Sequence, residues 1–481
     1  MKKVFLAELF ERLLDLKDKM TFNVDTKNEN VSLLNMKYYL NLRKYDFSHM
    51  QDDLTKVGLS SFGRSQAHME ASINVALEIL ALALKKELHH PKTHLSYEKS
   101  HAIMDKNSEI FSTSNDKTKI MITVPSEYSD EKEWFRNLAY EGVHLFRINT
   151  AHDNPKAWKE MAGEIKKICS AEKDLKIYVD LAGPKIRTSF KKSKKSGKPK
   201  KIKLFCGDSV LIHSPDQQPL KKRAKHYAAV VGCTLENMEN LVNVGDKVFV
   251  DDGKIEMVID EILGDGIVCT VLTRNANGTS LKDEKGINFP NSDIAVQAIC
   301  NHDKEVLPHI CEYADIIGIS FAQTSEDVRD LIEQLDRLGK KGEIGIVAKI
   351  ETQKGVENLP DILEALIEYG HSGIMIARGD LAIEIGFENL AYMQEEILDL
   401  CTAAHMPVIL ATQVLENKMK TNIPSRAEIS DVVFAHKAEC VMLNKGDYAL
   451  ETIKILTTIL KQMDLIFRKN KLLYNPSFQW K

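Results

Sequence analysis

The sequence predicts an α/β protein: a closed (β/α)8 barrel with an all-β domain inserted after its third strand and a helical extension in front. Three observations predict it. Eight apolar, β-branched runs of strand length alternate with amphipathic helical segments. The alternation is interrupted once, between Thr188 and about Pro290, where short alternating runs and turn residues replace the helical period. Residues 1–115 are helical in pattern with almost no strand signal. A doubly wound open sheet is the rival that periodicity alone does not exclude; the count of eight favours closure.

The elements follow in order. In the extension, Leu54-Thr55-Lys56-Val57-Gly58-Leu59-Ser60-Ser61 reads as a helix stop at Gly58 and a new N-cap at Ser60 or Ser61. Such a turn between helices is ordinary packing rather than a DNA-reading motif. The strand runs are Lys119–Val124, Val143–Thr150, Lys176–Leu181, Asp315–Phe321, Gly345–Glu351, Gly373–Asp380, Pro407–Gln413 and Cys440–Asn444. Helical periods lie between them at Ser325–Leu338, Gly355–Tyr369, Asn389–Ala404 and Ser425–His436, with a last long helix at Tyr448–Arg468. The insert contains Val244–Gly253, Ile267–Thr273 and the turn Asn275-Ala276-Asn277-Gly278. Because loops after barrel strands lie on the active-site face, an insert there is placed to act as a lid. The domains expected are therefore the extension at 1–115, the barrel at 116–188 and 290–470, a β-barrel lid at 189–289 and a tail at 471–481.

Composition bounds the class. The chain has 481 residues, 43% hydrophobic and 28% charged, with net charge −4, which argues against a general nucleic-acid binder. The lysine runs from Lys191 to Lys203 and from Lys221 to Lys225 read as solvated surface. No membrane span is expected, since the longest apolar run, Val75 to Leu84, is broken by Glu78. The first twelve residues start like a signal peptide, but Glu8, Glu11 and Arg12 interrupt the apolar core. Eight scattered cysteines without a CxxC pair suit reduced thiols and a cytoplasmic protein.

In a TIM barrel every strand's C-terminal end faces one rim. Those ends carry Arg147, Asn149, Asp180, Ser320, Lys349, Glu351, Asp380, Thr412, Gln413, Asn444 and Lys445. Lys349 and Glu351 are two apart, so both point to one face of their strand. Glu351 and Asp380, on adjacent strand ends, suit Mg²⁺ or Mn²⁺ with positions left for substrate oxygens. Arg147 and Lys349 suit a phosphoryl group or an enolate oxygen beside it. In the Arg378-Gly379-Asp380 turn, backbone N–H groups stand ready for a carboxylate, glycine allowing close approach. For either run taken alone, a structural salt bridge at a strand end is an equally good reading.

The chain resembles the pyruvate kinase family over residues 117–465. The resemblance is carried by Arg147-Ile148-Asn149-Thr150-Ala151-His152, Gly183-Pro184-Lys185-Ile186-Arg187-Thr188, Val250-Asp251-Asp252-Gly253 and Lys285-Gly286-Ile287-Asn288-Phe289-Pro290. It continues in Ala348-Lys349-Ile350-Glu351, Ile374 to Asp380, Ala411-Thr412-Gln413-Val414-Leu415-Glu416 and Ser425-Arg426-Ala427-Glu428. The resemblance implies phosphoryl transfer from phosphoenolpyruvate to ADP. It implies Lys349, Thr412 and Arg147 as catalytic residues, and Glu351 and Asp380 on the metal. Gly379, Asp380, Arg147, Lys349 and Thr412 would hold substrate, and Asn149, His152, Arg187 and Lys285 the nucleotide.

The departures from the family pattern carry their own expectations. Members that need K⁺ bind it with an Asn, a Ser, an Asp and a Thr. Here Asn149 and Asp180 remain, but Ala151 and Leu181 replace the hydroxyl pair. Lys185 stands where those members carry Glu. An ammonium there, near Asn149 and Asp180, supplies the charge internally, so K⁺ is expected not to be required. Ala182 replaces the Lys before the Gly-Pro, the segment after the eighth strand is Asn444-Lys445-Gly446-Asp447, and the turn after the first strand is shortened to Thr123-Val124-Pro125-Ser126. These bear on ADP more than on phosphoenolpyruvate. The C-terminal domain that carries sugar-phosphate regulation in many members is expected to be missing, and a homo-oligomer, a dimer, is expected through the extension. Two other readings stay open: a metal-dependent phosphoenolpyruvate/pyruvate-type lyase or aldolase, and a catalytically reduced metabolite-binding paralogue.

Overall fold

The computed structural model describes residues 2–26, 30–88, 93–128, 131–172, 174–190, 201–215, 223–294, 296–469 and 471–472. Most of the first lysine run, Lys221 and Lys222 of the second, and the tail beyond Leu472 lie outside the described residues. Eight parallel strands close into a barrel: β1 (Lys119–Thr123), β2 (Leu145–Asn149), β3 (Lys176–Asp180), β4 (Ile316–Ile319), β5 (Gly345–Ile350), β6 (Ser372–Ala377), β7 (Val408–Ala411) and β8 (Cys440–Leu443). Each strand pairs with its sequence neighbours, and β8 returns to β1 with Lys119 opposite Cys440. The open-sheet alternative is thereby excluded.

Strand alternation sorts the barrel's residues. Inward-facing Met121, Leu145, Tyr178, Ile316, Val347, Met375 and Ile409 form one interior cluster. Their alternates, such as Ile122, Phe146, Val179 and Ile346, join the larger core beneath the surrounding helices. Ile110 and Phe111, just after the last helix of the extension, belong to the interior cluster and close the barrel floor. Phe111 fits because Gly373 has no side chain: a Cβ there would come within 3.3 Å of its ring.

The extension forms α-helices at Lys2–Thr21, Val31–Leu42, Ser48–Lys56, Met69–Leu84 and Tyr97–Ser108. The first packs on the fourth through Leu9, Leu13, Leu16 and Met20 against Ile73, Leu77, Leu80 and Leu84, a 3.6-residue period on both sides. The segment Gln66–Leu84 is long and apolar enough to cross a membrane by composition alone, but 61% of its apolar window is buried inside the protein. The helix stop at Gly58 is present, with φ +80°. The N-cap at Ser60 or Ser61 is not: a loop continues to a 3-10 turn at Gln66–His68, where Asn35 donates to Gln66 O at 2.7 Å and accepts from Met69 N at 3.0 Å. A long-range buried amide thus sets this helix start, which no local cap signal reveals. The Gly355–Tyr369 period is also split, into Gln353–Glu357 and Leu359–Tyr369, with Pro360 near the start of the second.

The insert folds as a seven-stranded sheet in the order Ile287–Asn288, Lys247–Val250, Ile255–Leu263, Gly266–Val271, Ser209–His213, Ala229–Cys233, Thr188–Ser189. Ile202–Leu204 pairs separately with Thr279–Leu281. The sheet encloses its own core, including Val248, Ile255, Met257 and Ile267, and its two end segments meet: Arg187 bridges Gly286, Thr188 N donates to Lys285 O at 2.7 Å and Ile287 N donates to Ile186 O at 2.9 Å.

Candidate active site

The alternation that fills the barrel with apolar side chains also delivers polar ones to its mouth. Two residues above Val347 comes Lys349, then Glu351; above Leu145 come Arg147 and Asn149; above Tyr178 comes Asp180; above Met121 comes Thr123; above Ile316 come Gly318 and Ser320. Gly318 keeps the layer open, since a Cβ there would meet Tyr178 Oη at 2.1 Å and Asp180 Oδ1 at 2.4 Å.

These side chains form one network. Arg147 Nε donates to Asp180 Oδ2 at 2.6 Å and its Nη1 to Thr123 Oγ1 at 2.9 Å. Lys349, 7% exposed, donates to Ser320 Oγ at 2.9 Å, with Asp180 Oδ2 at 3.6 Å and Glu351 Oε1 at 3.5 Å. Burial opposes ionisation of Asp180, but Arg147 and Lys349 outweigh it and hold the carboxyl below its ordinary range. Burial raises the Tyr178 hydroxyl well above its ordinary value, and the Asp180 charge adds to that. Ser320 Oγ in turn donates to Leu181 O at 2.7 Å.

β6 stops at Ala377, and Arg378–Ile385 forms a helix, so Asp380 sits in a first helical turn rather than on the strand the sequence led us to expect. The Gly379 N–H donates to Thr412 Oγ1 at 2.9 Å. Thr412 and Gln413 follow β7 with φ of +66° and +62°, an uncommon conformation for residues with a Cβ. Arg378 holds them there. Its Nη2 donates to Thr412 O at 2.7 Å, and its two terminal nitrogens meet Asp431 Oδ1 at 2.6 Å and Oδ2 at 2.8 Å. Neither Arg378 nor Asp431 was singled out from sequence. The signal was an arginine at the end of an apolar strand, where burial demands a partner.

Lys185 is placed differently from expectation. Its Nζ reaches both oxygens of Asp380 at 2.9 Å, while Asp180 is served by Arg147 and Lys349. The linker after β3 directs it across the mouth: Asp303, fully buried, accepts from the N–H groups of Ala182 at 3.0 Å and Gly183 at 3.2 Å. Burial disfavours the Lys185 ammonium, yet Asp380 outweighs it and raises its pKa.

Arg147, Asn149 and His152 line a second cleft of about 290 Å³ with Ser126, Asn444 and Lys445. Burial, Lys445 and Arg187 together push the His152 imidazole below its ordinary value. Asn149 Oδ1 accepts from Ala151 N at 3.1 Å. Arg187 borders them, lining a cavity with Thr150 and Ala151 and donating to Glu284 O at 3.1 Å, whereas Lys285 is held in the inserted domain, paired with Asp251 Oδ1 at 2.9 Å.

Glu351 and Asp380 fit a hard divalent cation. Burial and the Asp380 charge raise the Glu351 carboxyl against the pull of Lys349 and Lys185, and a divalent cation between the two carboxylates would relieve their repulsion. Among the described residues no third His, Cys, Asp or Glu joins them, which leaves coordination positions for substrate oxygens. The arrangement suits a compact polyanion beside a metal, under buried cations.

The family model described as "Pyruvate kinase, barrel domain" matches residues 115–453. Among curated proteins, the chain is 32% identical over 372 residues to a pyruvate kinase of Clostridium perfringens, covering 74% of this chain and 72% of the relative. It is 30% identical over 372 residues to one of Borreliella burgdorferi, covering 75% and 72%. It is 31% identical over 361 residues to the Thermotoga maritima pyruvate kinase, covering 72% and 71%.

Proposed function

Since the chain belongs to the pyruvate kinase family, we propose that this phosphotransferase moves the phosphoryl group of phosphoenolpyruvate to ADP, giving pyruvate and ATP, with Mg²⁺ (or Mn²⁺) and without K⁺. The observation that carries the proposal is Lys349: a buried ammonium at the barrel mouth, 3.5 Å from Glu351 and 3.6 Å from Asp180.

Lys349 and Arg147 bring positive charge to the phosphoryl group as it passes between oxygens, and Lys349 also steadies the enolate oxygen left behind. Their positions are fixed beforehand by Asp180, Ser320 and Thr123, so little reorganisation accompanies the reaction. Glu351 and Asp380 would hold the metal, which when bound supplies charge neutralisation at the phosphoryl oxygens. Thr412 faces the enolate on the side where a proton is added. The Gly379 N–H, now bonded to the Thr412 hydroxyl, would turn to the substrate carboxylate.

Asn149 and His152 in the second cleft, with Arg187 and Lys285 brought over by the inserted domain, would bind the nucleotide. Residues 189–289 act as the lid of a barrel spanning 116–188 and 290–470, with 1–115 as an added helical layer and 471–481 as a tail. Lid closure excludes water from the transfer. Independence of K⁺ rests on Lys185 and on Ala151 and Leu181, which lack the hydroxyls that would bind it. We place the protein in the cytoplasm as a homodimer formed through the helical extension.

The test is pyruvate formation from phosphoenolpyruvate, ADP and Mg²⁺, with and without K⁺. Turnover is expected in both. Lys349→Met is expected to lose at least about a thousandfold in kcat while keeping the wild-type circular dichroism. A requirement for added K⁺ overturns the Lys185 reading, and absence of pyruvate with every nucleotide overturns the reaction.

A further inference from the structure

Three parts of the inserted domain and its linkers rest on one short helix, Arg378–Ile385. From the entry linker, Lys185 holds Asp380. From the domain itself, Gly253 lies so close to Ile383 that a Cβ would come within 2.7 Å of Ile383 Cδ1. From the sheet's strand Ile287–Asn288, where the return linker begins, Asn288 Nδ2 donates to Glu384 Oε1 at 3.0 Å. The linkers are not packed down along their length. A cavity of about 370 Å³ separates Pro184–Ile186 and Ile287–Ile294 from Phe321, Thr352 and Gln353 on the barrel. Lys354 also crosses it, to the exposed Asp293 at 2.8 Å.

Glu384 is the half-buried end of this seat. Its carboxyl also accepts from the backbone N–H of Gln353, two residues beyond Glu351, and burial pushes it up to about 7. Withdrawing a carboxyl even partly from water is costly, and an apolar residue would pack there more cheaply. Its position at the meeting of lid linker, β5 rim and helix points to a coupling role.

We propose that Glu384 is a positioning residue of the transfer site: through Asn288 it latches the lid's return linker to the helix that carries Gly379 and Asp380. Lid seating and the alignment of those two residues then move together. The proposal rests on the reaction proposed above for its kinetic consequence, but the latch itself is a property of the fold.

Steady-state kinetics and amide hydrogen exchange of the full chain test it, with Glu384→Ala, Asn288→Ala, the double variant and Glu384→Gln. Each alanine variant is expected to lower kcat/KM for ADP about tenfold, the double variant no further than the worse single. Glu384→Gln, whose amide oxygen still accepts from Asn288, recovers most of the loss. Peptides covering 287–290 and 378–385 exchange faster together in both single variants. The proposal is overturned if the two losses multiply, if glutamine does no better than alanine, or if only one of the two peptides responds. Should the wild-type protein show no turnover, exchange alone decides the latch, separately from the reaction. Asn288→Ala, on the lid side, carries the comparison if Glu384→Ala does not fold.

Discussion

Arg378 shows how much of the site depends on a single guanidinium. Its planar fork meets Asp431 with two nitrogens and reaches the Thr412 carbonyl with one of them. That geometry keeps the left-handed backbone of Thr412 in place, and with it the hydroxyl on Gly379. A lysine provides the charge but not the fork. Arg378→Lys is therefore expected to lower kcat about tenfold, on the order of one charge-assisted hydrogen bond, with secondary structure unchanged. Steady-state assays beside circular dichroism check this. Legibility at this scale was uneven. Lys349, Glu351, Arg147 and Asp180 were readable because charge at the end of an apolar strand is anomalous. Asp431, Asp303 and Glu384 were not, because each sits on a helix where a carboxylate needs no special explanation.

At the scale of elements, the barrel strands were legible and the joints were not. Eight apolar runs of strand length mark themselves by β-branching and spacing. Where the chain turns depends on distant partners: Asn35 at the start of Met69–Leu84, or the rim that ends β6 at Ala377. The joint between extension and barrel carries a pH dependence. His405 lies buried there, its Nε2–H donating to Ala67 O at 2.7 Å and its Nδ1 accepting from Ser32 Oγ at 2.9 Å. Burial, with the charges of Lys469 and His101 nearby, lowers its pKa from 6.5 to about 4. The folded state thus favours the neutral ring, whereas the unfolded chain takes up a proton as pH drops below 6.5. The stabilisation is fully present above pH 6.5 and is lost as pH falls towards 4, by about 3 kcal/mol in total. Thermal unfolding of wild type and His405→Gln across that window is the check: the variant's stability should fall less steeply.

At the scale of the whole molecule, two cores and an added helical layer meet at the barrel. The inserted domain has its own apolar core and reaches the mouth through two linkers. The extension shares the barrel's outer core and, through Ile110 and Phe111, reaches the interior column that ends below Lys349. The layer order was readable from periodicity. The strand order of the inserted sheet was not, because short strands do not encode which neighbour each one takes.

The ion pair between Lys185 and Asp380 spans the linker and the barrel, and it changes what loading the site means. A cation arriving at Asp380 meets an occupied seat, so its binding is an exchange of one counterion for another rather than capture by bare negative charge. Exchange is less sensitive to bulk salt than capture, because part of the attraction is spent on releasing the ammonium. Calorimetric titration of Mg²⁺ into the protein alone should show a shallow dependence on ionic strength. Lys185→Met should bind Mg²⁺ about tenfold tighter at low salt and lose that advantage steeply as salt is added.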